Sequence, residues 1–354
     1  MTAQSNIKPQ PIPPDYLATP ASPYMAHFVA DGSVAASSPG TPSLAASTLC
    51  NMDSSRNIKA VSAYSPPIPF SRLAILGWWA GTASYSVGTG PVEICFDGAN
   101  IWTVNSGSNN VTKLLASTGA VVGTYSVGTG PLYGCFDGAN IWVTNYGSNN
   151  VTKLLASTGA TVGTYTPCSS PTGVCFDGVN VWVASDTDST VTKVLASTGA
   201  TVGTYSVGTN PGDLCFDGAN IWVANYGSNN LTKLLASTGA VVGTYAVGTT
   251  PTGICFDGAY IWVANESGNT VTKLLASTGA VVGTYATGTT PEGICFDGIY
   301  IWVANYGTNN VTKLLASTGA AVGTYPVGSG PYATCFDGTY VWATNNSTNN
   351  VTKI

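Results

Sequence analysis

The tripeptide Phe-Asp-Gly recurs at Phe96, Phe136, Phe176, Phe216, Phe256, Phe296 and Phe336, at a constant spacing of 40 residues. A fixed period of this length means one supersecondary unit copied in tandem, since a piece so short cannot bury its own faces and must stack on its neighbours. Each copy reads like residues 211-250, in which short β-branched and aromatic runs alternate with Gly, Asn, Ser and Asp turns. Alternation within the runs places strand A at Asp213–Phe216, strand B at Asn220–Ala224, strand C at Leu231–Leu235 and strand D at Val241–Val247. Helix is almost absent from this reading.

Radial repetition around an axis buries both faces of such sheets. The expected fold is therefore all-β, a seven-bladed β-propeller of 40-residue four-stranded repeats spanning 75-354. The last copy stops at Ile354, inside strand C, whereas Ala83-Ser84-Tyr85-Ser86-Val87-Gly88 aligns with Gly123-Thr124-Tyr125-Ser126-Val127-Gly128. An N-terminal strand D should thus complete the last blade, close the ring and hide both edges.

Ile141-Trp142-Val143-Thr144-Asn145, with Trp-Val-Ala-Asn copies at 222, 262 and 302, resembles the YVTN-type propeller repeat, whose neighbours are the NHL and streptogramin-lyase propellers. The resemblance covers residues 80-354 and implies the propeller fold. It implies no single function, because propellers of this kind act as enzymes, ligand binders and scaffolds alike.

Residues 1-74 are different material. The first seventy hold 11 of the 20 prolines, in runs such as Pro9-Gln10-Pro11-Ile12-Pro13-Pro14. This composition predicts an extended arm or linker, with Tyr16, Leu17, Tyr24 and Phe28 as its candidate anchors to a larger protein assembly.

Only 8% of the residues are charged and the formal net charge is −5. That balance opposes a phosphate-binding surface, which needs clustered Lys and Arg, so nucleic acid is not an expected partner. No window approaches the roughly 18 apolar residues of a membrane helix, and the N-terminus lacks a basic segment followed by an apolar run. Synthesis in the cytosol without a classical signal is expected, with a virion or cell-surface assembly as one destination.

Cys95, Cys135, Cys175, Cys215, Cys255, Cys295 and Cys335 share one repeat position before Phe-Asp-Gly. Equivalent positions on adjacent blades should lie beyond the roughly 4.4–6.8 Å Cα separation of a disulfide, and Cys-x-x-Cys or His partners for a metal are missing. They read as buried thiols in strand A. Cys168 replaces a turn glycine and is the one expected to be exposed, which leaves a Cys50–Cys168 bond open. The Trp series, Trp102 to Trp342, reads as inter-blade packing, and the Asp97 series as turn chemistry. The sequons Asn110-Val111-Thr112, Asn150-Val151-Thr152 and Asn265-Glu266-Ser267 read as turn residues between strands B and C.

Within 75-354 there are 13 acids and 7 lysines; seven acids and all the lysines belong to the repeat. The six left over are Glu93, Asp186, Asp188, Asp213, Glu266 and Glu292. Chain direction reverses at each turn, so the B–C and D–A connections share one end of the ring, and all six fall there. The same end carries the variation between copies, while Phe-Asp-Gly and Ala-Ser-Thr-Gly-Ala at the other end stay fixed. Two readings stand: drift in tolerant loops, or a ligand site on a rigid scaffold. Tyr133, Tyr146, Tyr226, Tyr306 and Tyr332 supply flat platforms among these acids, which suits a glycan or a protein loop. Asp186-Thr187-Asp188 lacks the Gly and terminal Glu of a calcium loop, and no metal or cofactor is expected.

The only histidine, His27, lies in the arm, so the His base of streptogramin-lyase-like chemistry has no counterpart in the propeller. Arg56 and Arg72 also precede the repeats. The expected function is accordingly a binding or structural module rather than an enzyme, with the variable face toward a glycan or protein partner and the arm tied to an assembly. The alternative is a lyase or glycosidase-like enzyme. It requires Glu93 with Glu292, or Asp213 with another acid of that face, to approach within roughly 5–10 Å.

Overall fold

The computed structural model describes residues 82–354 and, nearer the N-terminus, the backbone of four short strands. The chain divides between Trp79 and Ala80. In the first part, His27–Phe28 pairs with Val34–Ala35 and Cys50–Met52 with Ile58–Ala60, two small antiparallel hairpins. Tyr16, Leu17, Tyr24 and the side chain of Phe28 lie outside the described residues.

The second part is a seven-bladed β-propeller of four-stranded antiparallel sheets, each ordered A-B-C-D. Blade 1 comprises Pro91–Phe96, Asn100–Asn105, Asn110–Leu115 and Val121–Ser126, and blade 4 comprises Pro211–Phe216, Asn220–Asn225, Asn230–Leu235 and Val241–Ala246. Blade 7 takes Pro331–Phe336, Val341–Asn345 and Asn350–Lys353 from the C-terminus and Ala83–Ser86 as its strand D, with Val351 opposite Tyr85. Strand A of each blade lies against strand A of the next, and that of blade 7 against that of blade 1. The A strands therefore encircle an axis.

The core lies between blades. Trp222 and Leu231 of blade 4 pack with Ile254, Ile261 and Leu274 of blade 5, and each junction repeats this pattern. Every strand B tryptophan meets a strand D tyrosine at 5.1–5.7 Å between ring centroids. Its indole N–H donates to the Asp of the preceding Asp-Gly turn at 2.7–2.8 Å in all seven blades. The same carboxylate accepts backbone N–H groups of its turn, as Asp217 does from Ala219 and Asn220. The aspartate thus fixes the hairpin and the buried tryptophan together, which explains why Phe-Asp-Gly never varies.

The strand C lysines add a polar link across the same junctions. Lys113 Nζ crosses to the Ala156 carbonyl in the C–D turn of the next blade, and five further copies do likewise, all at 2.6–2.8 Å. Each lysine, Lys313 included, also lies over its own blade's tryptophan at 4.6–5.1 Å. An ammonium so placed satisfies a carbonyl and gains cation–π attraction.

Candidate functional site at the axial mouth

Strand A begins two residues earlier than alternation suggests, because it starts with a β-bulge. Pro211 faces Asn225 and Leu214 faces Val223, so Gly212 and Asp213 together occupy one position; every blade has an extra residue at this place. A bulge breaks the two-residue period and re-aims a side chain. Here the residues at stake are the variable pairs, from Val92-Glu93 to Tyr332-Ala333.

Those residues converge. Glu93, Tyr133, Asp213, Glu292 and Tyr332, from blades 1, 2, 4, 6 and 7, line one cavity of about 10 Å³, and Thr252 with Gly253 adds blade 5. Contributions from six blades place the cavity on the axis. Glycine recurs in the pairs for steric reasons: a Cβ on Gly253 would stand 2.4 Å from the Glu292 carbonyl oxygen, and one on Gly173 2.3 Å from that of Gly212. Thr252 Oγ1 donates across the same seam to the Pro291 and Glu292 carbonyls, both at 3.2 Å.

Glu292 is buried, and Glu93 and Asp213 are half-buried. Burial pushes Asp213 up to about 7, against N–H bonds from Leu214 at 2.8 Å and Ile254 at 3.2 Å that favour the anion. Burial first and the charge of Glu266 second carry Glu292 to about 8. Glu93 is driven well above the carboxylate range by burial and then by Asp213, with the Ile94 N–H opposing. Only 8% of the Glu292 surface is exposed, and among the described residues its carboxyl makes no hydrogen bond. Burial likewise raises the phenols of Tyr133 and Tyr332.

The cysteines follow next along strand A. All seven are free and burial raises each; neighbouring thiols or acids come second for six of them, whereas at Cys295 a Thr334 hydrogen bond opposes the rise, and Glu93 and Asp213 act on several, so the thiols border the carboxyl cluster. A thiol held protonated is a poor nucleophile and a poor metal ligand. Cys168 departs from expectation: it is half-buried, with its thiol facing the Ala184 carbonyl at 3.9 Å, and burial followed by Asp188 lifts it to about 12. It is a free thiol, and the Cys50 side chain lies outside the described residues.

The remaining candidates divide. Tyr306 is exposed and meets Tyr332 edge-on, with centroids 6.2 Å apart. Exposed Tyr226 stands beside Glu266, whose charge is the main cause of the rise in its phenol. These three form a rim next to the cavity. Tyr146 instead donates to Asp186 at 3.3 Å, and Asp186 also accepts from Asn210 at 3.0 Å. Asp188 turns back into its own loop, accepting from Ser185 at 2.9 Å and the Ser169 N–H at 3.4 Å. The two aspartates of Asp186-Thr187-Asp188 therefore engage different donors. Thr252 and the seam glycines stand in the sequence among the variable pairs, Thr172-Gly173, Thr252-Gly253 and Glu292-Gly293, but only the bulge gives them a place at the site.

No family model and no curated protein sequence matches the chain. Solved structures do share its fold. Hydrazine synthase of Kuenenia stuttgartiensis superposes with a TM-score of 0.68 at 22% identity, over 78% of this chain and 99% of that one. A streptogramin B lyase gives 0.67 at 20% identity over 77% and 96%, and virginiamycin B lyase from Staphylococcus aureus gives 0.66 at 19% over 77% and 97%. The expectation that the protein is not an enzyme is corrected here. Propellers of the same build include lyases, and the absence of a propeller histidine removes one kind of base while leaving carboxyls that burial has brought into the neutral range. At these identities the likeness establishes that the chain shares the streptogramin-lyase propeller fold.

Proposed function

We propose that the propeller is a recognition head that takes a protruding polar group of a larger ligand, a glycan or a protein, into the axial mouth at its variable end. The observation that supports this most is the convergence of Glu93, Tyr133, Asp213, Glu292 and Tyr332 from five blades on one small cavity. Drift in tolerant loops would scatter such residues around the rim. Burying carboxyls with so few partners costs stability, and a scaffold keeps such groups when they meet a ligand. With values of about 7 and 8, Asp213 and Glu292 can each hold or release a proton near neutrality, so the site can act as acid or base toward a bound group. In this reading residues 1-74 tie the head to a larger assembly.

The test uses the full chain on a glycan array and a peptide array, beside Glu292→Gln and Tyr332→Ala. Specific signals that fall at least tenfold in both variants are expected. Signals that persist unchanged in both, or silent arrays, contradict the reading.

A further inference from the structure

The cavity has a sign and a size. It is lined by three carboxyls and two phenols, and no lysine, arginine or histidine lines it. The propeller's lysines are committed elsewhere, six to carbonyls of C–D turns at the opposite end and Lys313 to the Tyr300 and Trp302 rings. Glu292, more than nine-tenths buried, presents a carboxyl to this space with no hydrogen-bond partner among the described residues. About 10 Å³ holds roughly one non-hydrogen atom.

From these facts we infer that the group received by the cavity is a primary ammonium, carried by a small alkylamine or by a lysine side chain. The inference rests on the axial recognition site described above and names its ligand class. An ammonium is a single nitrogen with three donors, which matches the volume and the acceptors; a guanidinium is a planar fork of several atoms and a quaternary ammonium is wider still. The aromatic walls add attraction through their faces. The molecule already uses this chemistry internally, with Lys273 Nζ 3.8 Å from the Tyr260 ring centre while it donates to a carbonyl.

A cation favours ionised carboxyls, so binding should expel protons. The titratable groups around Glu292 are Glu266, Glu93, Asp213 and the phenols of Tyr133, Tyr226, Tyr306 and Tyr332; the charge of Glu266 opposes its ionisation, and no cationic side chain lines the cavity to favour it. Affinity should therefore climb as pH rises through about 7 and 8, and fall only when the amine itself deprotonates near about 10.

The experiment is calorimetric titration of the full chain with n-butylammonium chloride, the tripeptide acetyl-Gly-Lys-Gly-amide and n-butanol, each at pH 6 and pH 8.5. Butylammonium is expected to bind at least tenfold tighter at pH 8.5, to lose at least tenfold in Glu292→Gln, and to have no counterpart in n-butanol. Glu266→Gln, at the rim, should weaken it two- to threefold and serves if the buried variant fails to fold. Tighter binding of the tripeptide assigns the ammonium to a partner's lysine; binding of butylammonium alone assigns it to a free amine. Equal binding of n-butanol, no dependence on pH, or no amine binding at 10 mM overturns the inference. If the arrays still give signals that vanish in Tyr332→Ala, the recognition reading survives without it; if they are silent too, both fall.

Discussion

Asp213 and Asp217 stand four residues apart and titrate in opposite directions. For Asp217, burial raises the carboxyl, but bonds from Trp222, Ala219 and Asn220 outweigh it and hold the group below the usual range; Asp213, at the bulge, is carried to about 7. The sign of each follows for stability. The depressed group, with its copies Asp97, Asp137 and Asp177, contributes stability that is present above about 4 and lost as pH falls through the folded value. Asp213 and Glu292 do the reverse: the folded state keeps their protons longer, so their contribution is full below about 4 and is lost as pH rises to about 7 and 8. Melting temperature should peak near about pH 4–5 and decline toward 8.5. Scanning calorimetry of Glu292→Gln should show a clear gain at pH 8.5 and little change at pH 4.5; an equal shift at both would refute the sign. The grouping of unmatched acids at one end was legible in the sequence, because chain reversal alone dictates it. That Glu292 would be buried and Asp188 would turn into its own loop was not, since both depend on local backbone geometry.

At the scale of the strand, the bulge decides which side chains reach the axis. Alternation predicts strand A from Asp213, but pairing begins at Pro211, and the two-residue period gives no sign of a residue that shares its place with a neighbour. Two glycines of these pairs make a matched test. A methyl on Gly253 meets the Glu292 carbonyl at 2.4 Å, whereas one on Gly212 meets nothing nearer than Ala224 O at 3.8 Å. Gly253→Ala should cost about 1–3 kcal/mol in urea unfolding and displace Glu292, while Gly212→Ala should be neutral or stabilising by up to about 1 kcal/mol. Equal effects would mean that the seam is looser than described. The lysine caps are a second device of this scale. Lys233→Met leaves the Ala276 carbonyl without its 2.7 Å donor and should cost about 1–3 kcal/mol by the same assay.

For the whole molecule, the period carried nearly everything: the number of blades, their meander order and the closure by an N-terminal strand all follow from repeat arithmetic and from the need to cover edges. The closing strand is an equal member of the ring. Tyr85 meets Trp342 at 5.5 Å, much as Tyr205 meets Trp182 at 5.6 Å inside blade 3. Tyr85→Ala and Tyr205→Ala should therefore destabilise by amounts within about 1 kcal/mol of each other, since like contacts carry like costs; a much smaller effect at Tyr85 would mean an open ring in solution. The acidity of the axial carboxyls was the property least legible from sequence, because it is set first by burial at the mouth, which only the closed ring creates. Ring closure gathers Glu93, Asp213 and Glu292 into one mouth. Carbon-13 NMR titration of the side-chain carboxyls measures it directly. Beside the raised resonance of Glu93, two with midpoints near 7 and 8 are predicted, one absent from Asp213→Asn and the other from Glu292→Gln. Titration of every carboxyl within about one unit of its free value would mean that the ring gathers no such cluster.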